Sequence, residues 1–285
     1  MIIRPLTGLI GAEITGLDMN TLDEASLEAI DKAFAKHLVL CIRDQALSPA
    51  DLVDITHLLG EPGDTPYLTG LREYPDVVPV VKEANENSPH TFGAGWHTDF
   101  TFQARPPART LLYAVDTPAA GGDTLYANMY AAYDALSEGM KTTLKSLNAV
   151  HSATRSYGPR ATLKNHLEHM TITNDDQEPD AQVHPVICMH PVTKRPALWI
   201  NPTYTIRFEN MTQEESEPLL NYLNQLIVNP QFCCRVRWEP GTLTLWDNRC
   251  TQHCATSDYQ GYRREMWRTT VAGETPIAFT QSWES

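Results

Sequence analysis

The sequence predicts a mainly β fold with helical insertions, arranged as a β-sandwich or jelly roll. Short apolar runs typical of strands lie on both sides of the predicted helices. These elements do not form the alternating βαβ series that a doubly wound sheet requires. The chain has 285 residues, 42 % of them apolar, which is enough for a large core without disulfides. We therefore expect residues 1–285 to form a single domain.

Helices and strands alternate in the first part of the chain. The capping-box pattern Thr21-Leu-Asp-Glu24 predicts a helix that ends near His37. The apolar run at 38–42 predicts a buried strand. Ser48-Pro49 supplies an N-cap and a proline at the first helical position, and this helix should end at Gly60. Further strands are predicted at 77–81, 96–102, 110–115 and 124–127.

A long aperiodic segment divides the second part of the chain. It follows a helix predicted at about 130–147 and spans approximately residues 151–183. A stretch this long inside a compact domain is typically functional, and we expect it to form a lid over an active site. The capping box Thr212-Gln-Glu-Glu215 predicts a helix to Val228. The last strands are predicted at 234–238, 243–247 and 266–272.

Charge and cysteine content limit the partners and the location. The chain carries 35 acidic and 22 basic residues, so we expect no nucleic-acid partner and no binding to anionic membranes. No apolar run approaches the roughly 20 residues of a transmembrane helix, and the first residues lack the apolar segment of a signal peptide. Six cysteines without a paired framework suit a reducing compartment. We expect a cytoplasmic protein.

A candidate metal site lies in the sequence Trp96-His-Thr-Asp99-Phe100. Residues i and i+2 of a strand point to the same face, so His97 and Asp99 can bind one cation together. With one distant histidine they would form the two-histidine, one-carboxylate set of non-haem iron oxygenases, which leaves positions open for a co-substrate and dioxygen. Alone, a His-x-Asp pair is weak evidence, and a polar strand face explains it equally well.

Two other clusters offer metal-binding side chains. His166-Leu-Glu168-His169 places two histidines three residues apart, but a solvated polar face explains it better. Cys250-Thr-Gln-His253-Cys254 places two thiols beside an imidazole, but a closed zinc site needs a fourth ligand. Small buried thiols are the more common role of such cysteines.

The C-terminal segment favours the iron hypothesis. His253 supplies a third ligand, far along the chain from His97. Arg263, Arg264 and Arg268 lie within six positions of an acidic protein, which indicates anion recognition. Arg264 and Arg268 are four apart, so strand alternation places them on one face, where arginine can bind a carboxylate through two parallel hydrogen bonds. Surface ion pairs are the alternative role for these arginines.

Motifs spread over nearly the whole chain carry a resemblance to a known family. They are Gly11-Ala-Glu-Ile-Thr-Gly16, Arg43-Asp-Gln45, Trp96-His-Thr-Asp99, Gly121-Gly-Asp-Thr124, His190-Pro191 and Trp246-Asp-Asn-Arg249 with Gln252-His253. Arg264 and Arg268 follow that histidine at the family's spacing. The sequence resembles the taurine dioxygenase-like (TauD/TfdA) family of Fe(II)- and 2-oxoglutarate-dependent oxygenases.

The resemblance implies a fold, a reaction and a set of site residues. His97, Asp99 and His253 match the family's iron ligands, and Thr124 and Arg264 match the groups that hold the distal carboxylate of 2-oxoglutarate. The implied core is a double-stranded β-helix (jelly roll, cupin-like). The implied reaction uses O2 and converts 2-oxoglutarate to succinate and CO2. It hydroxylates a small organic anion such as a sulfonate, alkyl sulfate or aryloxyalkanoate.

On the substrate side the match to taurine dioxygenase is partial. Arg268 matches the arginine that meets the sulfonate in that enzyme. Three aromatic residues match substrate-pocket positions, namely Tyr67, Phe102 and Tyr204. Gly93 replaces an asparagine, which would enlarge the cavity, and Asp64 lies near a histidine position, where a carboxylate facing the pocket would repel an anion. These departures argue against taurine as the substrate.

Alternatives stay open at the level of sequence. A biosynthetic family member could desaturate or otherwise oxidise a natural-product acid. A non-catalytic zinc-binding jelly roll that uses Cys250, His253 and Cys254 is the alternative from another class, although a bare metal site has no use for the dicarboxylate-binding pair Thr124 and Arg264. Because the family commonly forms dimers or tetramers, we expect a homodimer or homotetramer.

Overall fold

The computed structural model describes residues 1–86, 88–177, 179 and 181–280. Sheet is the largest regular component, with 27 % of the residues in strands and 24 % in helices. The strands are β1 (Ile2–Pro5), β2 (Ala12–Thr15), β3 (Val39–Ile42), β4 (Val78–Lys82), β5 (Arg109–Asp116), β6 (Thr124–Asn128), β7 (Asn148–His151), β8 (Gln182–Pro185), β9 (Ile187–Met189), β10 (Pro196–Leu198), β11 (Thr205–Phe208), β12 (Cys233–Val236), β13 (Leu243–Asp247), β14 (Thr251–Ala255), β15 (Arg264–Val271) and β16 (Ile277–Ala278). The α-helices are α1 (Glu24–His37), α2 (Pro49–Leu59), α3 (Met129–Asp134), α4 (Glu138–Lys145), α5 (Thr154–Tyr157) and α6 (Gln213–Ile227).

Seven strands form one large sheet in the order β1-β2-β3-β13-β5-β15-β4. Within it β2 and β3 run parallel, and the other described pairs run antiparallel. Three-stranded sheets are built from β12-β6-β14, β11-β7-β8 and β10-β9-β16. Strands β4, β5, β13 and β15 of the large sheet and strands β6 and β14 of a small one line the same cavity. The candidate site therefore lies between two sheets.

The two faces of the large sheet have different roles. Helices α1 and α2 cover one face, where Phe34 and Leu52 pack in one hydrophobic cluster with Leu40 of β3. On the other face of the same strand, Cys41 belongs to a second cluster, which surrounds the site. Strand β3 is buried on both faces, as its unbroken apolar sequence predicts.

Most predicted elements are confirmed, with capping boxes at the starts of α2 and α6. The first helix, however, is capped by Asp23, whose side chain accepts from Ser26 N at 2.8 Å, and not by Thr21. The single helix predicted at about 130–147 is wrong. It is divided into α3 and α4 because Ser137 starts a new helix as its N-cap.

The strand predicted at 96–102 is also wrong. Only an isolated bridge at His97 pairs in this stretch of the described chain, and Asp99 and Phe100 lie in a turn. Phe100 has φ +47°, a left-handed conformation that a strand does not allow. The alternation argument that joined His97 to Asp99 therefore does not apply, although the two side chains do meet.

The described part of the chain contains no helix that is both long and apolar enough to span a membrane. All six cysteines are unpaired. Burial raises the pKa of the Cys41 thiol to about 11 and that of Cys234 to about 12, so both stay protonated at neutral pH. These thiols act as small apolar side chains of the core.

Candidate active site

Two histidines and an aspartate meet between the sheets. His97 N donates to His253 O at 3.0 Å, and His253 N donates to His97 O at 2.8 Å, so the two residues are directly opposite each other. Asp99 turns back towards them, with Oδ1 3.7 Å from His97 Nε2 and 3.8 Å from His253 Nε2. All three side chains are buried. We call them the His–Asp–His cluster.

Burial and hydrogen bonds set the charges of this cluster. His97 Nδ1 lies 2.6 Å from the Gly95 carbonyl, so we assign the proton to Nδ1 and the lone pair to Nε2. Burial lowers the pKa of His97 and of His253, which keeps both imidazoles neutral. Burial alone would raise the pKa of Asp99, but the charge of Arg268 and the hydrogen bond from Thr110 hold it well below its usual range. The cluster thus offers two neutral nitrogens and one anionic oxygen.

This donor set fits a divalent transition metal. Asp99 Oδ2 accepts from Thr110 Oγ1 at 2.6 Å, which leaves Oδ1 to face the histidines. A cation bonded at about 2.1 Å to each ligand atom needs those atoms roughly 3 to 3.5 Å apart, close to the distances found here. Two imidazoles and one carboxylate are the ligands of non-haem Fe(II) sites with open positions.

Thr124 and Arg264 line the same cavity as the cluster. The Arg264 guanidinium lies 5.9 Å from the ring centroids of both Trp238 and Tyr259, and its Nε donates to Gly122 O at 3.1 Å. A Cβ at Gly122 would come within 3.1 Å of Arg264 Cδ, so this glycine makes room for the arginine. Thr124 Oγ1 accepts from Trp238 Nε1 at 3.0 Å and keeps its own proton to donate. These fixed donors suit a carboxylate such as the distal group of 2-oxoglutarate.

Arg268 shares the buried face of β15 with Arg264. Its Nη2 lies 2.9 Å from Asp99 Oδ1, but among the described residues neither Nη1 nor Nη2 has a partner with hydrogen-bond geometry. Its Cζ lies 4.8 Å from the ring centroid of Phe100, a cation–π contact. Apart from its ion pair with Asp99, this buried guanidinium has N–H groups without a hydrogen-bond partner among the described residues, and these are suited to an anion. Arg263, in contrast, forms ion pairs on the outside of the sheet, for example with Asp116 at 3.0 Å, so the surface alternative is correct for that residue.

Two adjoining cavities occupy the site. The inner cavity contains the His–Asp–His cluster with Thr124 and both arginines. The outer cavity is lined by residues 90–95 and by side chains that include Tyr157 and Tyr204. Phe92, Gly93 and His97 line both cavities. A substrate held in the inner cavity can therefore extend towards the outer one only past these residues.

The two departures expected at the pocket have different outcomes. A Cβ at Gly93 would lie 3.5 Å from His97 Cε1 and 4.0 Å from Ala255 Cβ, so the missing side chain does leave space beside the cluster. Asp64 lines a separate surface groove together with Arg105 and is part of neither cavity. The repulsion expected from Asp64 therefore does not act on an anion held by Arg268.

The aromatic residues expected in the substrate pocket form one connected cluster. Phe102 lies 6.0 Å from Tyr67 and 5.0 Å from Tyr204 between ring centroids. Two members of this cluster were not predicted from the sequence: Phe100, 5.6 Å from Phe102, and Tyr157, stacked on Tyr67 at 4.7 Å. Phe100 could have been found because it ends the His-x-Asp motif, whereas Tyr157 lies in the aperiodic segment, where no pattern marks it.

The expected lid segment contacts the loop around Tyr67. Thr173 N donates to Tyr67 O at 2.9 Å, and the Tyr67 hydroxyl donates to Asp175 Oδ2 at 2.5 Å. Asp175 N in turn donates to Tyr157 O at 2.9 Å. Positions 178 and 180 of this segment lie outside the described residues. The hydroxyl of Tyr67 is thus held by the segment itself, which sequence comparison alone did not predict.

The rival metal clusters do not assemble as expected. Among the described residues, neither His166 and His169 nor Cys254 belongs to a group that could hold a metal ion. Cys250 lies beside His190 and Asp247 instead of beside His253. The sequence-based zinc hypothesis is therefore wrong in its choice of ligands.

The grouping around His190 is closed by hydrogen bonds. The backbone N–H groups of Val192 and Thr193 donate to His190 Nδ1 at 3.1 and 3.0 Å, so Nε2 carries the proton that points to Asp247 Oδ2 at 3.0 Å. Arg249 binds both oxygens of the same carboxylate, at 2.8 and 2.7 Å. Burial alone would raise the pKa of Asp247, but Arg249 holds it well below its usual range. Both nitrogens of His190 and both oxygens of Asp247 are thus engaged in hydrogen bonds, and we assign this network a structural role.

The fold and the site together are typical of non-haem iron oxygenases that use a 2-oxo acid. The family model for the taurine catabolism dioxygenase TauD, TfdA family matches residues 2–270. The chain belongs to the TauD/TfdA family, and it is an α-ketoglutarate-dependent (2-oxoglutarate-dependent) dioxygenase that uses Fe(II) and O2.

Individual relatives agree with this family. An α-ketoglutarate-dependent sulfate ester dioxygenase from Pseudomonas putida is 34 % identical, over 96 % of this chain and 90 % of its own length. An alkylsulfatase from Acinetobacter baylyi is 33 % identical, over 95 % of this chain and 85 % of its own. The crystal structure of a taurine dioxygenase from Burkholderia xenovorans superimposes with a TM-score of 0.82 at 30 % identity, covering 97 % of this chain and 92 % of that one.

Proposed function

We propose that this dioxygenase hydroxylates a small organic anion such as a sulfate ester, sulfonate or aryloxyalkanoate, with His97, Asp99 and His253 as its iron ligands. The observation that carries the proposal is a single cavity that contains the His–Asp–His cluster and two buried arginines. One arginine suffices for the distal carboxylate of 2-oxoglutarate. The second arginine is then available to the head group of a substrate.

The protein's own residues hold the reactants in place. Bound Fe(II), 2-oxoglutarate and O2 supply the oxidation, in which one oxygen atom enters succinate and the other enters a C–H bond of the substrate. Nε2 of each histidine and Oδ1 of Asp99 would hold the metal. The Arg264 guanidinium and the Thr124 hydroxyl would donate to the distal carboxylate of 2-oxoglutarate. Because these side chains are buried, their donor and ligand atoms are held in fixed positions around the reactants.

Arg268 would fix the substrate by its anionic head group beside the metal. Its unpaired N–H groups can donate two parallel hydrogen bonds to a sulfate, sulfonate or carboxylate, and Phe100 supports the guanidinium from the side. If the oxidised carbon bears the sulfate, sulfonate or aryloxy group, the hydroxylated product collapses and releases it. The names of the two curated relatives, which refer to sulfate esters and alkyl sulfates, support a head group of this kind.

We also propose the larger features that the family implies. The two sheets that enclose the site fit a double-stranded β-helix (jelly roll) core, and the contacts of Thr173 and Asp175 with Tyr67 support residues 151–183 as a lid. We propose a homodimer or homotetramer, which light scattering on the purified protein tests. Six unpaired cysteines suit a reducing compartment, and we propose a cytoplasmic location.

A substrate panel tests the proposed function. The purified enzyme, loaded with Fe(II) and 2-oxoglutarate, is offered alkyl sulfates, alkanesulfonates and aryloxyalkanoates, and succinate formation is measured. At least one anion should raise succinate formation well above the rate without substrate, and its oxidised product should appear in equal amount. Stimulation by the corresponding neutral alcohols alone would contradict the role given to Arg268.

A further inference from the structure

The outer cavity differs in charge from the inner one. The inner cavity contains two arginines and an aspartate. Of the described residues that line the outer cavity, none is Asp, Glu, Lys or Arg. A cationic group at the end of a substrate that reaches the outer cavity thus meets no carboxylate among these residues.

The walls of the outer cavity combine apolar side chains, hydroxyl groups and the imidazoles of His90 and His97. Phe92 and Leu163 contribute apolar surface, and Tyr157 and Tyr204 contribute aromatic surface with a hydroxyl. Burial raises the pKa of Tyr157 to about 12 and that of Tyr204 well above its usual value, so both hydroxyls stay neutral. An alkyl or aryl group gains from leaving water for such walls, whereas an ammonium group would exchange its hydration for neutral partners only, with no carboxylate in the described lining to compensate its charge.

The position of Arg268 sets the orientation of a bound anion. Its head group lies in the inner cavity, and a longer molecule continues past Gly93 and His97, which border both cavities. The carboxylate of Asp99 is 2.9 Å from Arg268 and faces both histidines, so it does not serve a cationic tail. The binding of the tail therefore depends on whether its charge and polarity suit the outer cavity.

We infer that the enzyme selects organic anions with an uncharged tail of several carbon atoms and rejects zwitterions whose tail ends in an ammonium group. The inference rests on the proposed function and narrows its substrate class. The outer cavity adds its space to that of the inner one beyond Gly93 and His97, so a tail longer than two or three carbons can continue into it. Two observations carry the inference: the described lining of that cavity has no Asp, Glu, Lys or Arg, and Arg268, beside its ion pair with Asp99, has N–H groups without a hydrogen-bond partner among the described residues.

Binding of matched anions tests the inference without turnover. The enzyme is loaded with Mn(II) and N-oxalylglycine, and Kd values are measured by calorimetry for 1-propanesulfonate and for taurine, which differ by a methyl against an ammonium group. Propyl sulfate and 2-aminoethyl hydrogen sulfate form the same comparison. We expect the uncharged member to bind at least tenfold more tightly in both pairs. Lengthening the alkane from three to six carbons should lower Kd about fourfold per methylene, from ~0.8 kcal/mol for each buried CH2.

A pair of variants assigns the selection to the outer cavity. Ser156 lines this cavity and is half-buried, so a larger side chain can be accommodated there. Because serine is polar, its replacement removes no apolar side chain from the lining. Ser156→Asp should reduce the preference for propanesulfonate over taurine at least fivefold, while the isosteric and neutral Ser156→Asn should leave it unchanged. Both ligands carry the same sulfonate, so the ratio of their Kd values cancels any general repulsion of anions by the new carboxylate.

The outcomes separate the inference from the proposed function. If anions bind and are oxidised but the two members of each pair bind equally, the inference is overturned and the proposed function stands. If the ratio is the same in Ser156→Asp and Ser156→Asn, the outer cavity does not select the tail, and the inference is overturned as well. If no organic anion of the panel binds or is oxidised, both are overturned.

Discussion

Each of the two arginines on β15 has one task in this account, and the tasks follow from their surroundings. Arg264 is fixed by the Gly122 carbonyl and lies near two aromatic rings, beside Thr124. Arg268 lies beside the Asp99 carboxylate and keeps N–H groups free of hydrogen-bond partners. The four-residue spacing places both on one face of the strand, but only their neighbours support the proposal that Arg264 binds the co-substrate and Arg268 the substrate.

Separate substitutions of the two arginines should give opposite kinetic effects. Arg268→Ala should raise KM for the anionic substrate roughly 10- to 100-fold, because charge-assisted hydrogen bonds are lost, and should change KM for 2-oxoglutarate less than about threefold. Arg264→Ala should raise KM for 2-oxoglutarate roughly 10- to 100-fold and should change KM for the anionic substrate less than about threefold. Steady-state kinetics with each reactant varied in turn measures both. Equal rises in the two KM values would show that the division of tasks is wrong.

Gly93 is expected to set the tail length that the site accepts. Gly93 has φ +77°, which asparagine tolerates better than other non-glycine residues. Gly93→Asn would fill the space beside His97, so the preference for hexanesulfonate over propanesulfonate should fall at least fivefold, with KM for 2-oxoglutarate unchanged. Gly261→Asn is the control, because it has φ +81° and open space around its Cβ. A similar loss in both variants would point to backbone strain instead.

Local patterns in the sequence predict the individual elements well, but not the way in which the turns aim side chains. Capping signals and apolar runs were enough for α2, α6, β3 and β13, because these elements depend on their own residues. The turn after His97 was missed because the left-handed backbone of Phe100 has no clear signal in a non-glycine residue. Family motifs nevertheless brought together His97, Asp99 and His253, which local periodicity could not have paired.

The segment at 151–183, which we propose as a lid, was the part least accessible to sequence reasoning. Its contacts depend on single side chains, such as the hydrogen bond from Tyr67 to Asp175, and not on a periodic pattern. Tyr157 was missed for the same reason. The sequence indicated only that this segment lacks regular structure. Its contacts with the loop around Tyr67 were found only in the folded structure.

Removal of the lid contact should loosen the site without removing a ligand. In Asp175→Ala the Tyr67 hydroxyl loses its acceptor, so we expect more consumption of 2-oxoglutarate per substrate oxidised and faster proteolysis within 158–177. The ratio of succinate to product and limited proteolysis measure these effects. Asp176→Ala, which changes an exposed neighbouring carboxylate, is the control. If the two variants behave alike, the hydrogen bond from Tyr67 to Asp175 does not hold this segment in place.

At the scale of the whole molecule, buried histidines make the stability depend on pH. His151 is buried with Nδ1 2.9 Å from Thr101 Oγ1, beside the ring of His184. Burial lowers the pKa of both. A folded-state pKa below that of the unfolded chain means that the unfolded chain binds more protons in acid. The stabilising contribution is therefore complete above about pH 6.5 and is lost progressively as the pH falls below it.

His151→Asn should reduce this acid sensitivity. The amide can take the place of Nδ1 beside Thr101 but does not titrate, so the fall in unfolding free energy from pH 7.5 to 5.5 should be smaller by on the order of 1 kcal/mol. Urea unfolding of metal-free protein at the two pH values measures it. The exposed His57→Asn serves as control. An unchanged pH dependence in His151→Asn would exclude His151 as the titrating group.

The central claim is that one Fe(II) and one 2-oxoglutarate bind side by side between the two sheets. Anaerobic titration of the protein with Fe(II) and 2-oxoglutarate, followed by visible absorbance, tests it most directly. We expect a weak charge-transfer band that saturates at one equivalent of iron, disappears in His97→Ala and requires much more 2-oxoglutarate in Arg264→Ala. A band that persists in His97→Ala, or no band together with tight stoichiometric binding of zinc, would contradict the account.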